Sequence, residues 1–120
     1  MLSLYHKGNG ITYSAMAHCH EGNGTIKFCD ISNGLQELTS RCLNFLHDDI
    51  LPPGSSIGEH RHEDDEEYYY ILSGSGVMTL DGERYPVTAG DLTAVFPGGT
   101  HGLANTGSDD MRIIVVSVSN

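Results

Sequence analysis

Residues 54–74 read GSSIGEHRHEDDEEYYYILSG and carry the strongest structural signal in the chain. His60 and His62 are separated by one residue, and in an extended strand two such side chains point to the same face of the sheet. Glu67 follows and opens an apolar, aromatic segment, and His101 lies far along the chain. Neutral imidazoles and a carboxylate together suit divalent iron, manganese, nickel, zinc or copper. The pattern predicts one transition-metal site.

Around this stretch, the C-terminal two-thirds of the chain is typical of short strands separated by turns, the pattern of an all-β sandwich or barrel. Asp81-Gly82 predicts a tight hairpin with a type I′ turn. The last strand is continuously apolar, so we expect it to be buried on both faces. The predicted strands are Leu43–Leu51, 68–72, 77–80, 84–87, 92–96 and Met111–Val118.

The N-terminal third has a weaker pattern. Ile26 and Phe28 alternate with polar neighbours, which predicts a strand, whereas residues 35–42 fit either a short helix or a strand. The cluster His18-Cys19-His20-Glu21 contains possible metal ligands, but it lies in a glycine-rich region. Because no distant partner for this cluster is apparent, we expect a surface segment.

The spacing of these residues resembles the two motifs of the cupin superfamily. The first motif is met at every position, and the second departs only where Phe96 stands in place of a proline, with Pro97 directly after it. The resemblance implies an all-β double-stranded β-helix, a jelly-roll barrel, as a single domain over residues 1–120 that forms a homodimer. It also implies that one divalent metal ion is held by three histidines and one glutamate. The matching residues are Gly54, His60, His62, Glu67 and Gly74, then Gly90, Gly98, His101 and Asn105.

Strand parity decides which acid of the charged run is the ligand. Glu67 shares a strand face with Tyr69, which places both in the barrel interior and turns Glu66 outward. A slip of one residue would exchange the two acids, so Glu66 is the alternative ligand. Tyr69 and His47 are the candidate catalytic side chains, although Tyr69 could equally serve only in packing.

Charge and composition restrict the partners. The 120 residues carry 6 basic and 16 acidic side chains, a formal charge of −10 that repels nucleic-acid phosphates and anionic membrane surfaces. We therefore expect neither nucleic-acid nor membrane binding. The N-terminus has no secretory pattern, so we expect a cytoplasmic protein. Three cysteines without C-x-x-C spacing indicate neither a disulfide framework nor a zinc knuckle.

The predicted site favours a metal-dependent enzyme that acts on a small oxygenated or anionic metabolite. The resemblance implies an oxygenase, decarboxylase, isomerase or lyase, and the sequence does not choose among these reactions. The alternative is a non-catalytic cupin that binds or senses a small molecule through its metal. A structural protein with a vestigial site is the third possibility.

Overall fold

The computed structural model describes residues 3, 5, 7–8, 10–32 and 40–119, and these form ten β-strands and one short 3-10 turn, Cys19–Glu21. The predicted all-β fold is confirmed. Most of the undecided segment 35–42 lies outside the described residues. The strands are β1 Ser14–Ala17, β2 Thr25–Asp30, β3 Leu43–Leu51, β4 Ser56–Arg61, β5 Glu66–Ser73, β6 Ser75–Leu80, β7 Glu83–Thr88, β8 Leu92–Val95, β9 Thr100–Ala104 and β10 Met111–Val118.

The strands form two antiparallel sheets. The larger has the order β1-β2-β3-β10-β5-β8, and the smaller has the order β4-β9-β6-β7. Several neighbouring strands, such as β3 and β10 or β4 and β9, are distant in sequence, as in a jelly roll. The inward side chains of both sheets form one apolar core. Its buried members are Ile26, Leu51, Ile57, Tyr69, Ile71, Met78, Val87, Leu103, Met111, Ile113 and Val115.

Sequence patterns located the longer strands more reliably than the short ones. The bounds of β3 and β10 agree with the prediction, and β2 contains the predicted alternation of Ile26 and Phe28. By contrast, β1 and β9 were not predicted, because each is four or five residues long and has no clear alternation. These short strands are defined by pairing with their neighbours rather than by their own composition.

The predicted hairpin between β6 and β7 is present. Asp81 and Gly82 both have positive φ angles, 49° and 84°, as a type I′ turn requires. The turn also braces β9, because Oδ1 of Asp81 accepts a hydrogen bond of 2.9 Å from the backbone N–H of Thr100. The turn therefore fixes the strand that carries His101.

The expectation that β10 is buried on both faces is wrong. Its residues alternate between fully buried and half-buried side chains along the whole strand. Met111, Ile113 and Val115 point into the core, whereas Ile114 and Val116 lie on the outer face of the larger sheet. Among the described residues, no further layer covers that outer face. Only the side chains of the flanking strands shield it, and they do so in part. The apolar run thus reflects a central strand in a sheet with one covered face.

Exposed apolar side chains lie on the same outer face. Tyr70, Leu72 and Leu92 are 43%, 40% and 62% exposed. The homodimer implied by the family resemblance stays a prediction.

Among the described residues there is no helix of the length and hydropathy needed to cross a membrane. All three cysteines are free thiols, as expected.

Candidate metal centre

Four side chains that are distant in sequence meet between the two sheets. His60, His62, Glu67 and His101 each direct one ligand atom into a common space, and these atoms all lie within 4.8 Å of one another. The Nε2 atom of His101 is 3.0 Å from Nε2 of His60 and also 3.0 Å from Nε2 of His62. Oε1 of Glu67 lies 3.1 Å from Nε2 of His101. The structure thus brings all four predicted ligands together.

Backbone pairing explains why the histidines converge. His60 on β4 is paired with His101 on β9, which places both imidazoles on the inner face of the smaller sheet. His62 is joined to the turn before β9: its N–H donates to the carbonyl of Gly99 at 3.0 Å, and its carbonyl accepts from the N–H of Gly98 at 2.7 Å. This is the turn in which Phe96 replaces the motif proline, so that substitution leaves the link to the site intact.

Hydrogen bonds fix the tautomers of two imidazoles. Nδ1 of His60 lies 2.8 Å from the carbonyl of Gly58, and Nδ1 of His62 lies 2.8 Å from Oδ1 of Asp65. Since only an N–H can donate to these oxygens, each proton resides on Nδ1 and each Nε2 directs its lone pair to the centre. Asp65 is held in turn by the hydroxyl of Ser117, at 2.7 Å. Such outer partners are typical of histidines that ligate metals.

The donor set fits a bound cation. Two ligands at right angles around one ion, each with a bond of about 2.1 Å, lie about 3.0 Å apart. The separations of 3.0 Å between imidazole nitrogens match this spacing. One proton on His101 cannot satisfy two imidazole lone pairs and a carboxylate together. A divalent ion can.

Electrostatics favours the charge states that metal binding requires at His101 and Glu67. Burial lowers the pKa of His101, which favours the neutral imidazole that a metal needs, although Glu67 opposes this effect. Burial alone would raise the pKa of Glu67, but the neighbouring imidazoles, above all that of His101, lower it well below its ordinary value. Glu67 is therefore an ionised carboxylate at neutral pH.

The structure places the two acids as strand parity predicts. Glu67 and Tyr69 are buried at 6% and 2% exposure. Glu66 lies outside the cluster, where its carboxylate accepts a hydrogen bond of 3.0 Å from the hydroxyl of Tyr68. The ring of Tyr69 packs against that of His101, with centroids 4.6 Å apart. Glu67, not Glu66, is the acid that reaches the three histidines.

A small cavity adjoins the cluster. Its volume is about 120 Å³, and its wall includes Glu67, Tyr69, His47 and Asp49. At ~30 Å³ per water this is room for about four waters, so the cavity suits a ligand of few atoms. Tyr69 and His47, the two candidate catalytic residues, both line this cavity, and their catalytic role stays a prediction.

The segment His18–Glu21 lies at the surface, but the expectation that it lacks a distant partner is wrong. The ring of His20 stacks on that of His60, with centroids 3.6 Å apart and planes 10° apart. Cys19 lines the cavity together with His20. Three of the four residues in this segment, His18, His20 and Glu21, have φ angles between 49° and 63° although none of them is a glycine. Such backbone strain persists only where surrounding contacts impose it.

Two glycines hold this segment against β4. A Cβ atom at Gly58 would lie 2.0 Å from the carbonyl oxygen of His20, and one at Gly22 would lie 2.1 Å from that of Ser56. Only glycine allows the two backbones to approach so closely. No local signal in the sequence revealed this contact.

Gly58→Ala is expected to lower the free energy of unfolding by about 1–3 kcal/mol, because the added methyl group overpacks a backbone contact. Urea denaturation measures the loss as a lower midpoint at unchanged slope. Gly8→Ala is the control, since a Cβ there meets nothing within 4 Å. Equal midpoints for the two variants would show that the segment does not pack on β4.

Asp65 and Asp49 are the two residues that sequence reasoning missed. Asp65 belongs to a run of five acids, and a charge run usually indicates a solvated face. Its position three residues after His62 was the one available signal. Asp49 shares a strand face with His47, and that parity could have placed it in the interior.

Comparison with known proteins agrees with this architecture. The sequence pattern of the family described as "Cupin domain" matches residues 49–117, which is more than half of the chain. The matched segment contains all four clustered side chains. The chain belongs to the cupin family.

Particular relatives can then be described. A solved structure from Thermotoga maritima, titled a predicted oxalate decarboxylase, is similar with a TM-score of 0.85 and 28% identity over 98% of this chain and 100% of that chain. A protein named "Oxalate-binding protein" from the same species is 44% identical over 68 residues, 57% of this chain and 56% of the relative. A segment of the regulator PuuR from Escherichia coli, described as HTH-type, is 36% identical over 62 residues, 52% of this chain and 34% of the regulator. The chain thus matches about half the length, or less, of these sequence relatives.

Proposed function

We propose that this protein is a metal-dependent cupin enzyme that acts on a small carboxylate, with oxalate the first compound to test. The observation that carries the proposal is the convergence of three imidazole nitrogens and one ionised carboxylate beside a small cavity. His60, His62, Glu67 and His101 would hold one divalent transition metal. The names of two relatives refer to oxalate and support this class of ligand.

The chemistry of the site follows from its charges. Three neutral imidazoles and one carboxylate leave a bound divalent ion with a net charge of about +1, which attracts and polarises carboxylate or hydroxyl oxygens. Burial and the nearby carboxylate of Glu67 raise the pKa of Tyr69 well above its ordinary value. Its hydroxyl therefore stays protonated and donates a hydrogen bond instead of acting as a base.

Turnover of oxalate tests the proposal. Cleaving the carbon–carbon bond of hydrogen oxalate releases carbon dioxide, and the proton of the acid ends on carbon to give formate. We expect protein that carries metal, measured by elemental analysis, to release formate from oxalate, and chelated protein to release none. A panel of other small carboxylates identifies a different substrate of the same class. The proposal fails if metal-loaded protein neither binds nor converts any of them.

The alternative function is binding without turnover. Similarity to a segment of a transcriptional regulator and to a protein named for oxalate binding favours this candidate. Saturable, metal-dependent binding in calorimetry, with no product after prolonged incubation, would select it over the enzyme.

Asp65→Ala is expected to weaken metal binding by about 10- to 100-fold, the usual cost of removing an outer hydrogen-bond partner of a ligand histidine. The cause is the loss of the bond that fixes the tautomer of His62. Competition with a chelating dye measures the affinity. Asp64→Ala is the matched control, because Asp64 is an exposed neighbour of the same charge. Equal affinities in the two variants would exclude this role for Asp65.

A further inference from the structure

The cavity beside the metal ligands has a second polar wall, and the residues of this wall do not belong to the ligand cluster. Glu67 and Tyr69 on β5 form one wall, and His47 and Asp49 on β3 form the other. His47, Val115 and Tyr69 are paired in one row across β3, β10 and β5. Two strand spacings separate the walls by about 10 Å. The cavity therefore extends from Glu67 towards His47.

Aromatic packing orients the imidazole of His47. Its ring lies 4.4 Å from the ring of Phe45 and 5.8 Å from that of Phe28, both measured between centroids. Nδ1 faces Oδ1 of Asp49 at 3.8 Å, which is too long for a hydrogen bond. The His47 side chain is 21% exposed, and no hydrogen bond of its ring is found within the described part of the chain. The ring thus offers the cavity an unused donor.

Asp49 is a buried acid without its expected partner. Its side chain is 6% exposed, and Oδ1 has no hydrogen-bond partner among the described residues. A buried polar atom left in this state costs about 1–3 kcal/mol of stability. Packing alone gives no reason for an acid here, since the neighbouring wall is apolar and aromatic.

The charges around His47 favour a protonated imidazole. Burial raises the pKa of Asp49, although His47 opposes this effect. Burial lowers the pKa of His47, but Asp49 outweighs it, and the carboxylates of Asp30 and Glu67 act in the same direction, so the net pKa is raised. The pair therefore presents a donor, and not a bare anion, to the cavity.

We propose that His47, held in place by Asp49, is a specificity-determining residue that donates a hydrogen bond to the end of the ligand remote from the metal. The site then selects small dicarboxylates over monocarboxylates, because only a dicarboxylate reaches both walls. Asp49 is a positioning residue that acts through His47. This inference rests on the proposed carboxylate-binding function.

The test compares metal-loaded wild type with His47→Gln by calorimetry, using oxalate and malonate against formate and acetate. In His47→Gln we expect dicarboxylate affinity to fall about tenfold or more, the effect of one lost hydrogen bond to a charged group. Affinity for formate and acetate and the metal content should stay at the wild-type level. His18→Gln is the control, because His18 is exposed and does not line the cavity.

A second variant keeps the test decisive if His47→Gln does not fold. Asp49→Asn preserves the shape of the side chain but removes the charge that holds His47, so a smaller loss for dicarboxylates alone is expected. Unchanged dicarboxylate binding, or an equal loss for both ligand classes, overturns this inference while leaving the proposed function standing. Absence of all carboxylate binding in the wild type overturns the proposed function itself.

Discussion

Replacing His101 by Asn is expected to reduce the affinity for a divalent transition metal by more than about 100-fold, since even an outer partner of a ligand histidine is worth about 10- to 100-fold. His101 is the central member of the cluster, because its Nε2 atom lies within 3.1 Å of ligand atoms from three other residues. Elemental analysis of protein purified without added metal, followed by competition with a chelating dye, measures the effect.

The matched control is His18→Asn. His18 is an exposed histidine with a positive φ angle of 51°, a conformation that asparagine adopts more readily than most residues. This variant should keep the metal content of the wild type. Equal metal content in the two variants would show that the cluster is not the binding site.

Removing the metal is expected to lower the free energy of unfolding by about 2.7 kcal/mol when the metal had been present at 100 times its dissociation constant. The ion binds the folded chain only, because the four ligands, from β4, the residue after it, β5 and β9, are separated in the unfolded chain. For a chain of this size we expect the melting temperature to fall by roughly 10 °C. Thermal unfolding with and without a chelator measures the difference.

Glu67→Gln and Glu66→Gln form a matched pair for this effect. Each substitution removes one negative charge from the same strand, but only Glu67 belongs to the ligand cluster. Added metal should raise the melting temperature of Glu66→Gln as it does that of the wild type, and that of Glu67→Gln far less. Equal stabilisation of the two variants would contradict the assignment of the acid.

Two kinds of pattern made much of this protein predictable from its sequence. Strand periodicity and turn residues located β3, β10 and the Asp81-Gly82 hairpin, because these signals act between near neighbours in the chain. Parity along β5 placed Glu67 inside and Glu66 outside. The motif spacing joined His60 and His62 to His101 and indicated the cupin family.

The tertiary structure decided what depends on contacts between distant segments. The stacking of His20 on His60 requires the close approach of two glycines 36 positions apart, Gly22 and Gly58, and no local pattern encodes such a contact. The wall formed by His47 and Asp49 likewise depends on the sheet order, which places β3 two strands from β5. Sequence periodicity reports which face a side chain occupies, whereas the folded sheet order determines what lies opposite it.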